Sequence, residues 1–417
     1  MNQILRLELS LISKVNFCLI SLLPLSLVTG SLVSNSIVVL ICLLFLIDVI
    51  IKKNAFFLNE KNFYFLIIIN IYLILNSYFL SEYDLALLKS IGFLRFIILA
   101  YALAYYFKIY QKKILKIWFL FFILVSFDIL FEYFNGFNIL GFKAIYPGRI
   151  ASFTGDELKI GGFYFGFIML ALSYLEGFKN RLFIFCAIVF FIISLLIGER
   201  SNFLKIFFMY ILFFIFFYKE TILKKIFFIV TFVFISSIII FNSGSLKNKF
   251  YNQIYIKILN SKNNEDNLSQ IIKKNQHFSH YYVASKILRD NLFFGSGFKT
   301  FRLESHKPKY QKEVYGSSTH PHQIHFEILS ELGLVGYILI LSNLIILIIN
   351  NFKTKINNYK KGAILFILAS ILPFLPSGSF FTSYGALIFF INYSFLIRSK
   401  DLNDINFSKL NEKKSST

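Results

Sequence analysis

SSTHPHQIHFEILSELGLVGYILIL, Ser317–Leu341, opens with histidines at 320, 322 and 325 and closes as an unbroken apolar run. Glu327, Glu331, Gly333 and Gly336 mark the change. A polar cluster feeding straight into a hydrophobic segment is the pattern of a site held at the mouth of a membrane-crossing helix. Pro321 suits the first turn of a helix. A helix beginning there would put His322, His325, Phe326 and Leu329 on one face and Glu327 with Glu331 on another. The two glycines allow close packing where the helix meets the membrane. His320 and His322 flank a proline, and no cysteine or well-spaced carboxylate completes a zinc site, so no metal is expected. What remains is the chemistry of a single neutral imidazole, a base or an orienting group.

The rest of the chain explains the apolar half of that stretch. Of 417 residues, 57% are hydrophobic and 19% aromatic, with mean hydropathy +0.66. Runs of bilayer-spanning length fall at about 16–33, 35–51, 62–80, 88–107, 114–133, 161–177, 182–198, 202–218, 224–241, 332–350, 361–377 and 381–397. The expected fold is an all-α polytopic membrane protein of about 12 transmembrane helices, with a large, mostly helical periplasmic loop before the tenth. The N-terminus reads as a retained first span, since no small-residue cleavage site follows its apolar run. Cys18, Cys42 and Cys186 all sit in apolar runs and form no disulfide or metal spacing.

The net charge of +21 is partly what a Lys-, Asn-, Ile- and Phe-rich composition brings, and its placement says more. Basic clusters follow the second span (Lys52, Lys53, Lys61), the fourth (Lys108, Lys112, Lys113, Lys116), the sixth (Lys179, Arg181), the eighth (Lys219, Lys224, Lys225) and the tenth (Lys353, Lys355, Lys360, Lys361). Lysine and arginine in short loops stay cytoplasmic. Both termini are therefore expected in the cytoplasm. The organisation is spans one to nine over 1–241, with outer loops near 134–160 and 198–202. A periplasmic loop over 242–331, spans ten to twelve over 332–397 and a cytoplasmic tail over 398–417 follow.

Three outer segments carry chemistry. In YPGRIASFTGDELKIGGFYFGF, Tyr146–Phe167, Arg149 either pairs with Asp156 or Glu157 or offers a guanidinium fork to phosphate. In LIGERSNFLKIF, Leu196–Phe207, Arg200 stands at a turn too short to let it leave the bundle mouth, where it either snorkels to headgroups or serves a site. The long loop is strongly basic, which reads either as a solvated surface or as attraction for an anionic ligand. It contains one legible helix, SHYYVASKILRDN, with Val283, Ala284, Ile287 and Leu288 on one face, and a turn at Gly295 and Gly297.

STHPHQIHFEILSELGLVG resembles the signature of the O-antigen ligase and O-antigen polymerase family: His-Pro-His-Asn, a glutamine four residues after the asparagine, then Glu-x-Gly-x-x-Gly. His322 falls on that family's functional histidine, Glu331 on its glutamate, and Gly333 and Gly336 on its glycines. Arg200 matches the arginine at the family's outer turn between two central spans. The stretch Arg149–Gly162 is similar to one branch's Arg-x-Ser-Gly-x-Phe-x-Asp-Glu, and GSGFKTFR to its Gly-x-Gly-x-x-x-Phe-Arg. The likeness spans roughly 140–395 and is densest over 280–336. Gln323 stands in place of the usual asparagine, Glu327 in place of the glutamine, and His280 where many ligases carry an arginine. The loop's own cation then falls to Arg302 or Lys286.

The resemblance implies an inverting, metal-independent and cofactor-free glycosyltransferase. Its donor would be an undecaprenyl-pyrophosphate-linked glycan, and its acceptor a glycan or lipid A-core hydroxyl at the periplasmic face of the inner membrane. Among inner-membrane lipids, and with no nucleic acid as partner, His322 would be catalytic. Arg149, Arg200 and Arg302 would bind pyrophosphate, and His280, Gln323, Glu331, Gly333 and Gly336 would support them. Ligase is the expected role in lipopolysaccharide assembly. A polymerase joining lipid-linked repeats is the alternative, followed by a protein O-oligosaccharyltransferase. A transporter would gather ionisable groups at the midplane, yet few lie mid-span, Arg95 and Asp128 being the main candidates, with Asp48 and Glu176 near span ends.

Overall fold

Lipid offers a peptide group no hydrogen-bond partner, so apolar runs of this length satisfy their backbones as helices. The computed structural model describes residues 11–155, 159–175, 180–218, 220–253, 275–310, 317–353, 356–373 and 375–397, and contains no strand among them. Asp156, Glu157, Glu176, Lys179, Lys219, Lys355 and the tail 398–417 lie outside the described residues.

The helices are α1 (Leu11–Ser21), α2 (Leu23–Thr29), α3 (Ser31–Lys52), α4 (Lys61–Leu80), α5 (Ala86–Asn135), α6 (Ile160–Leu175), α7 (Asn180–Leu196), α8 (Arg200–Phe216) and α9 (Ile222–Asn242). They continue with α10 (Gln276–Asp290), α11 (Ile324–Phe352), α12 (Asn358–Ser370) and α13 (Ser383–Ser394). By length and composition α3, α4, α5, α9 and α11 can each cross a membrane, and α1 with α2, bent by 47°, makes a sixth candidate. α6 and α7 are shorter apolar helices. Large apolar side chains such as Leu32, Ile50, Phe79, Leu223 and Phe227 stand exposed on these helices, as a lipid-facing surface requires. Inside the bundle, polar side chains tie the helices together. Tyr393 donates to Asn343 at 2.8 Å, Asn62 to Tyr393 at 2.9 Å, and Asn70 to the Ser90 carbonyl at 2.9 Å.

The expected loop between spans at 107 and 114 is instead part of α5, a continuous helix of 50 residues. Residues 104–118 contain no glycine or proline, and lysine is a good helix former, so the backbone has no cause to stop. The helix does bend. Eleven residues advance about 16 Å on a straight helix, yet the rings of Phe107 and Trp118 have centroids 5.5 Å apart.

α11 starts three residues later than Pro321. His322 has φ +58°, a left-handed conformation no helix accepts, and Gln323 takes the capping position. The Gln323 side-chain Oε1 accepts from His325 N at 2.7 Å and Phe326 N at 3.1 Å. The helix is broken again at Gly333, at φ 66° and ψ −168°. In an unbroken helix Leu334 N would bond to Ser330 O, and Val335 N to Glu331 O. All four groups are instead taken by the segment 292–297. Leu334 N donates to Leu292 O (3.0 Å) and Val335 N to Phe293 O (3.0 Å). Ser296 N donates to Ser330 O (2.9 Å) and Gly297 N to Glu331 O (3.0 Å). A Cβ at Gly333 would sit 2.4 Å from the Phe293 carbonyl. Gly333→Ala is therefore expected to cost on the order of 3 kcal/mol from backbone strain and clash. A thermal melt in detergent would read this as a large drop in midpoint, and an unchanged midpoint would contradict the clasp.

α10 lies over α11 as a cap. Val283, Ala284 and Ile287 form a small core with Phe301 and Tyr310, and Tyr281 stacks on Phe326 with centroids 4.8 Å apart.

Candidate active site

His322 is held by its backbone and enclosed by other imidazoles. Its carbonyl accepts from Ser377 N at 2.7 Å, in the connection between α12 and α13. Its Nε2 lies 3.3 Å from Ser318 Oγ. The ring is roughly parallel to buried His280 at 5.3 Å, edge-on to His277 at 5.6 Å, and 4.0 Å from His320. No group of three or more His, Cys, Asp or Glu among the described residues is placed to hold a metal ion. Burial pushes the His322 imidazole below its ordinary value, with Glu327 opposing. Burial, then the neighbouring His322, lowers His320 to about 3. Both rings are neutral near pH 7, and a neutral imidazole can accept a proton.

His325 does not share a face with His322, contrary to the helical reading, because His322 precedes the helix. It donates Nε2–H to the Ile371 carbonyl at 2.7 Å and accepts from the Tyr337 hydroxyl at 3.0 Å, turned into the bundle.

The two glutamates fasten the segments around this ring. Glu327, fully buried, accepts from Phe380 N at 2.8 Å and from the Ser379 hydroxyl, and pairs with Lys299 Nζ at 3.5 Å. Lys299 is only 3% exposed and also donates to Ser379 Oγ at 2.7 Å. Glu331 accepts from Lys299 N at 3.0 Å and Phe301 N at 3.4 Å. Glu331 thus fixes the 299–301 backbone and does not touch His322. Gln323 Nε2 reaches the Leu372 carbonyl at 3.3 Å. At Gly336 a Cβ would meet the Tyr72 ring at 2.9 Å, while Tyr72 donates to the Leu332 carbonyl at 2.6 Å.

Arg149 and Arg200 come from two turns in direct contact. Ile150 N donates to Ile197 O at 3.2 Å, and a Cβ on Gly198 would lie 2.3 Å from the Gly148 carbonyl oxygen. Lys249 bridges them: its Nζ donates to Gly148 O at 2.6 Å and its carbonyl accepts from Arg200 Nη1 at 2.9 Å. Among the described residues no carboxylate lies within ion-pair distance of Arg149, Arg200 or Lys249. A cavity of about 280 Å³ opens beside Arg149, lined by Tyr146, Gly148 and Leu246. Buried acids brace the Arg149 loop from α5. Glu132 accepts from Ala151 N at 3.1 Å and Ser152 N at 2.6 Å, and Asp128 accepts from Ser152 Oγ at 2.5 Å and Ile139 N at 2.8 Å. Asp128 is therefore a loop anchor.

The cation cluster and the histidine meet at one connection. Ser201, next to Arg200, donates to the Pro376 carbonyl at 2.8 Å, and the next residue, Ser377, donates to the His322 carbonyl. Arg302 is held elsewhere, against Tyr83, with its guanidinium 4.6 Å from that ring. Lys249 and Lys299 were not singled out in the sequence, where they were two of many loop lysines.

Burial, then Arg149 and Arg200, lowers Lys249 to about 8. An anion bound there would raise it again, so binding takes up a proton. Affinity for an anionic ligand at this cluster is expected to be full below pH 8 and to fall as pH rises above it. The pH dependence of pyrophosphate-lipid binding checks this, and Lys249→Met should flatten the alkaline limb.

The family model described as O-antigen ligase matches residues 184–341. The matched stretch runs from α7 into α11 and includes Arg200, Lys249, Lys299, His322 and Glu331. No curated protein matches the chain. Over residues 184–341, the chain is similar to the O-antigen ligase family.

Proposed function

We propose that this protein transfers a glycan from undecaprenyl pyrophosphate to an acceptor hydroxyl, as an inverting, metal-independent ligase in lipopolysaccharide assembly. The observation that carries the reading is the joining of the Arg149–Arg200–Lys249 cluster to His322 through Pro376 and Ser377. Three cations with no carboxylate among the described residues within ion-pair distance suit a pyrophosphate, and a neutral imidazole joined to them suits an attacking hydroxyl. The acceptor oxygen attacks the anomeric carbon from the face opposite the leaving group. The bond from that carbon to the phosphate oxygen breaks, and the pyrophosphate leaves with the electron pair. His322 takes the hydroxyl proton. The arginines and Lys249 stabilise charge as it gathers on the leaving group.

On this reading about twelve helical segments form the membrane domain, α6, α7, α8, α12 and α13 included. Both termini are cytoplasmic, and the site faces the periplasm of the inner membrane. A gel of lipopolysaccharide and carrier-linked glycans from a deletion strain tests the acceptor. Long chains stranded on the carrier are expected. Single repeats capping the core would make the protein a polymerase, and two unchanged pools would defeat the reading.

A further inference from the structure

A second group of cations gathers at Tyr83, in the connection between α4 and α5. Arg302 and Lys89 both converge on Tyr83. Lys89 Nζ donates to its hydroxyl at 3.0 Å and Arg302 Nη1 at 3.4 Å, and the two cations lie 4.8 Å and 4.6 Å from the ring centroid. The nearby carboxylates are engaged otherwise: Lys307 binds Glu82 at 3.0 Å and Glu304 at 2.6 Å. No carboxylate among the described residues is within ion-pair distance of Arg302 or Lys89, and the buried Arg302 Nε has no acceptor. Two like charges drawn to one neutral phenol repel each other, and an anion between them would relieve that repulsion. The Lys89 hydrogen bond, with Arg302 and Lys299 close by, holds the Tyr83 phenol below its ordinary value.

The surroundings are those of a lipid. Tyr78 and Phe79 on α4, Leu85 just before α5 and Leu88 on α5, which bracket Tyr83, are exposed apolar side chains. The group also neighbours the reacting centre. Arg302 and Lys299 act on His320, whose ring is against His322. Arg302 follows directly on the 299–301 backbone that Glu331 holds.

We propose that Lys89, Tyr83 and Arg302 form a second anion site that holds a phosphate group of the membrane-anchored acceptor, leaving Arg149, Arg200 and Lys249 to the donor. The inference rests on the transferase reading and extends it: the acceptor is a phosphorylated lipid. Its phosphate is gripped by the Arg302 fork and Lys89, its tail runs over the apolar surface beside Tyr83, and its hydroxyl is delivered to His322.

The test uses the full chain in phosphatidylcholine nanodiscs, titrated with radiolabelled polyprenyl phosphate. Wild type is expected to bind about two equivalents, one at each cation group. The Lys89→Met/Arg302→Met variant should lose one and keep the other, which shows in the same sample that it is folded. Arg149→Met/Arg200→Met should lose the complementary one. Arg302→Lys should bind the second equivalent about tenfold more weakly, as a point charge replaces a fork. A stoichiometry that Lys89→Met/Arg302→Met leaves unchanged from wild type, whether one equivalent or two, would overturn the second site and leave the transferase reading standing. Displacement of the second equivalent by phosphatidylglycerol at membrane abundance would assign the site to bulk headgroups and overturn the acceptor role. Absence of saturable binding in wild type would instead remove the transferase reading itself.

Discussion

His322→Ala should lower glycan transfer by about 10²–10⁴-fold while leaving donor binding intact, because it removes the proton acceptor and none of the three cations. His322 has φ +58°, so alanine adds backbone strain there. Asparagine tolerates that conformation better. His322→Asn therefore separates the two effects, and it should be as inactive as alanine but better folded. The pH profile supplies a second check. The base works when neutral, and burial depresses its affinity for a proton. Activity should be full between the ordinary histidine value and about pH 8, where Lys249 begins to lose its proton, and on the acid side it should fall only as pH drops through the lowered value. An acid limb centred at or above the ordinary value would contradict the enclosed, neutral ring.

Arg200→Met is expected to cost about 10²–10³-fold in turnover, the scale of losing one preorganised donor to a developing oxyanion. It should also weaken binding of the pyrophosphate lipid. Arg200→Lys should restore only part of either, since the ammonium cannot grip two phosphate oxygens at once. Arg149→Met should behave alike, and the double variant should lose less than the product of the two because both act on one leaving group. Unaltered donor binding in Arg149→Met/Arg200→Met would remove these residues from the site.

The helical, membrane-spanning class was legible because hydrophobic length is a local property. His322, Glu331, Gly333 and Arg200 were also legible as residues, since each stands out within a short window. Their geometry was not. The break at Gly333 depends on residues 292–297 supplying the bonds the helix gives up, which no local window contains. His322 and His325 looked co-facial only while the helix was taken to start at Pro321. Gln323 caps it later, and the rings part. Lys249 was one basic residue among many until its partners, 101 and 49 positions away, came into view as Gly148 and Arg200. Arg302 was grouped with the other arginines by charge, whereas its nearest ring is Tyr83, 219 residues earlier. The run 104–118 was split on its lysines, although helix propensity carries the backbone through and only a bend marks the place.

The most direct measurement is release of polyprenyl pyrophosphate by the purified full chain, given a polyprenyl-pyrophosphate glycan and a lipid acceptor in the presence of EDTA. Wild type should release the carrier and form the glycosylated acceptor with inverted anomeric configuration, and His322→Asn should do neither while still binding donor. Equal release by wild type and His322→Asn would contradict transfer at this histidine.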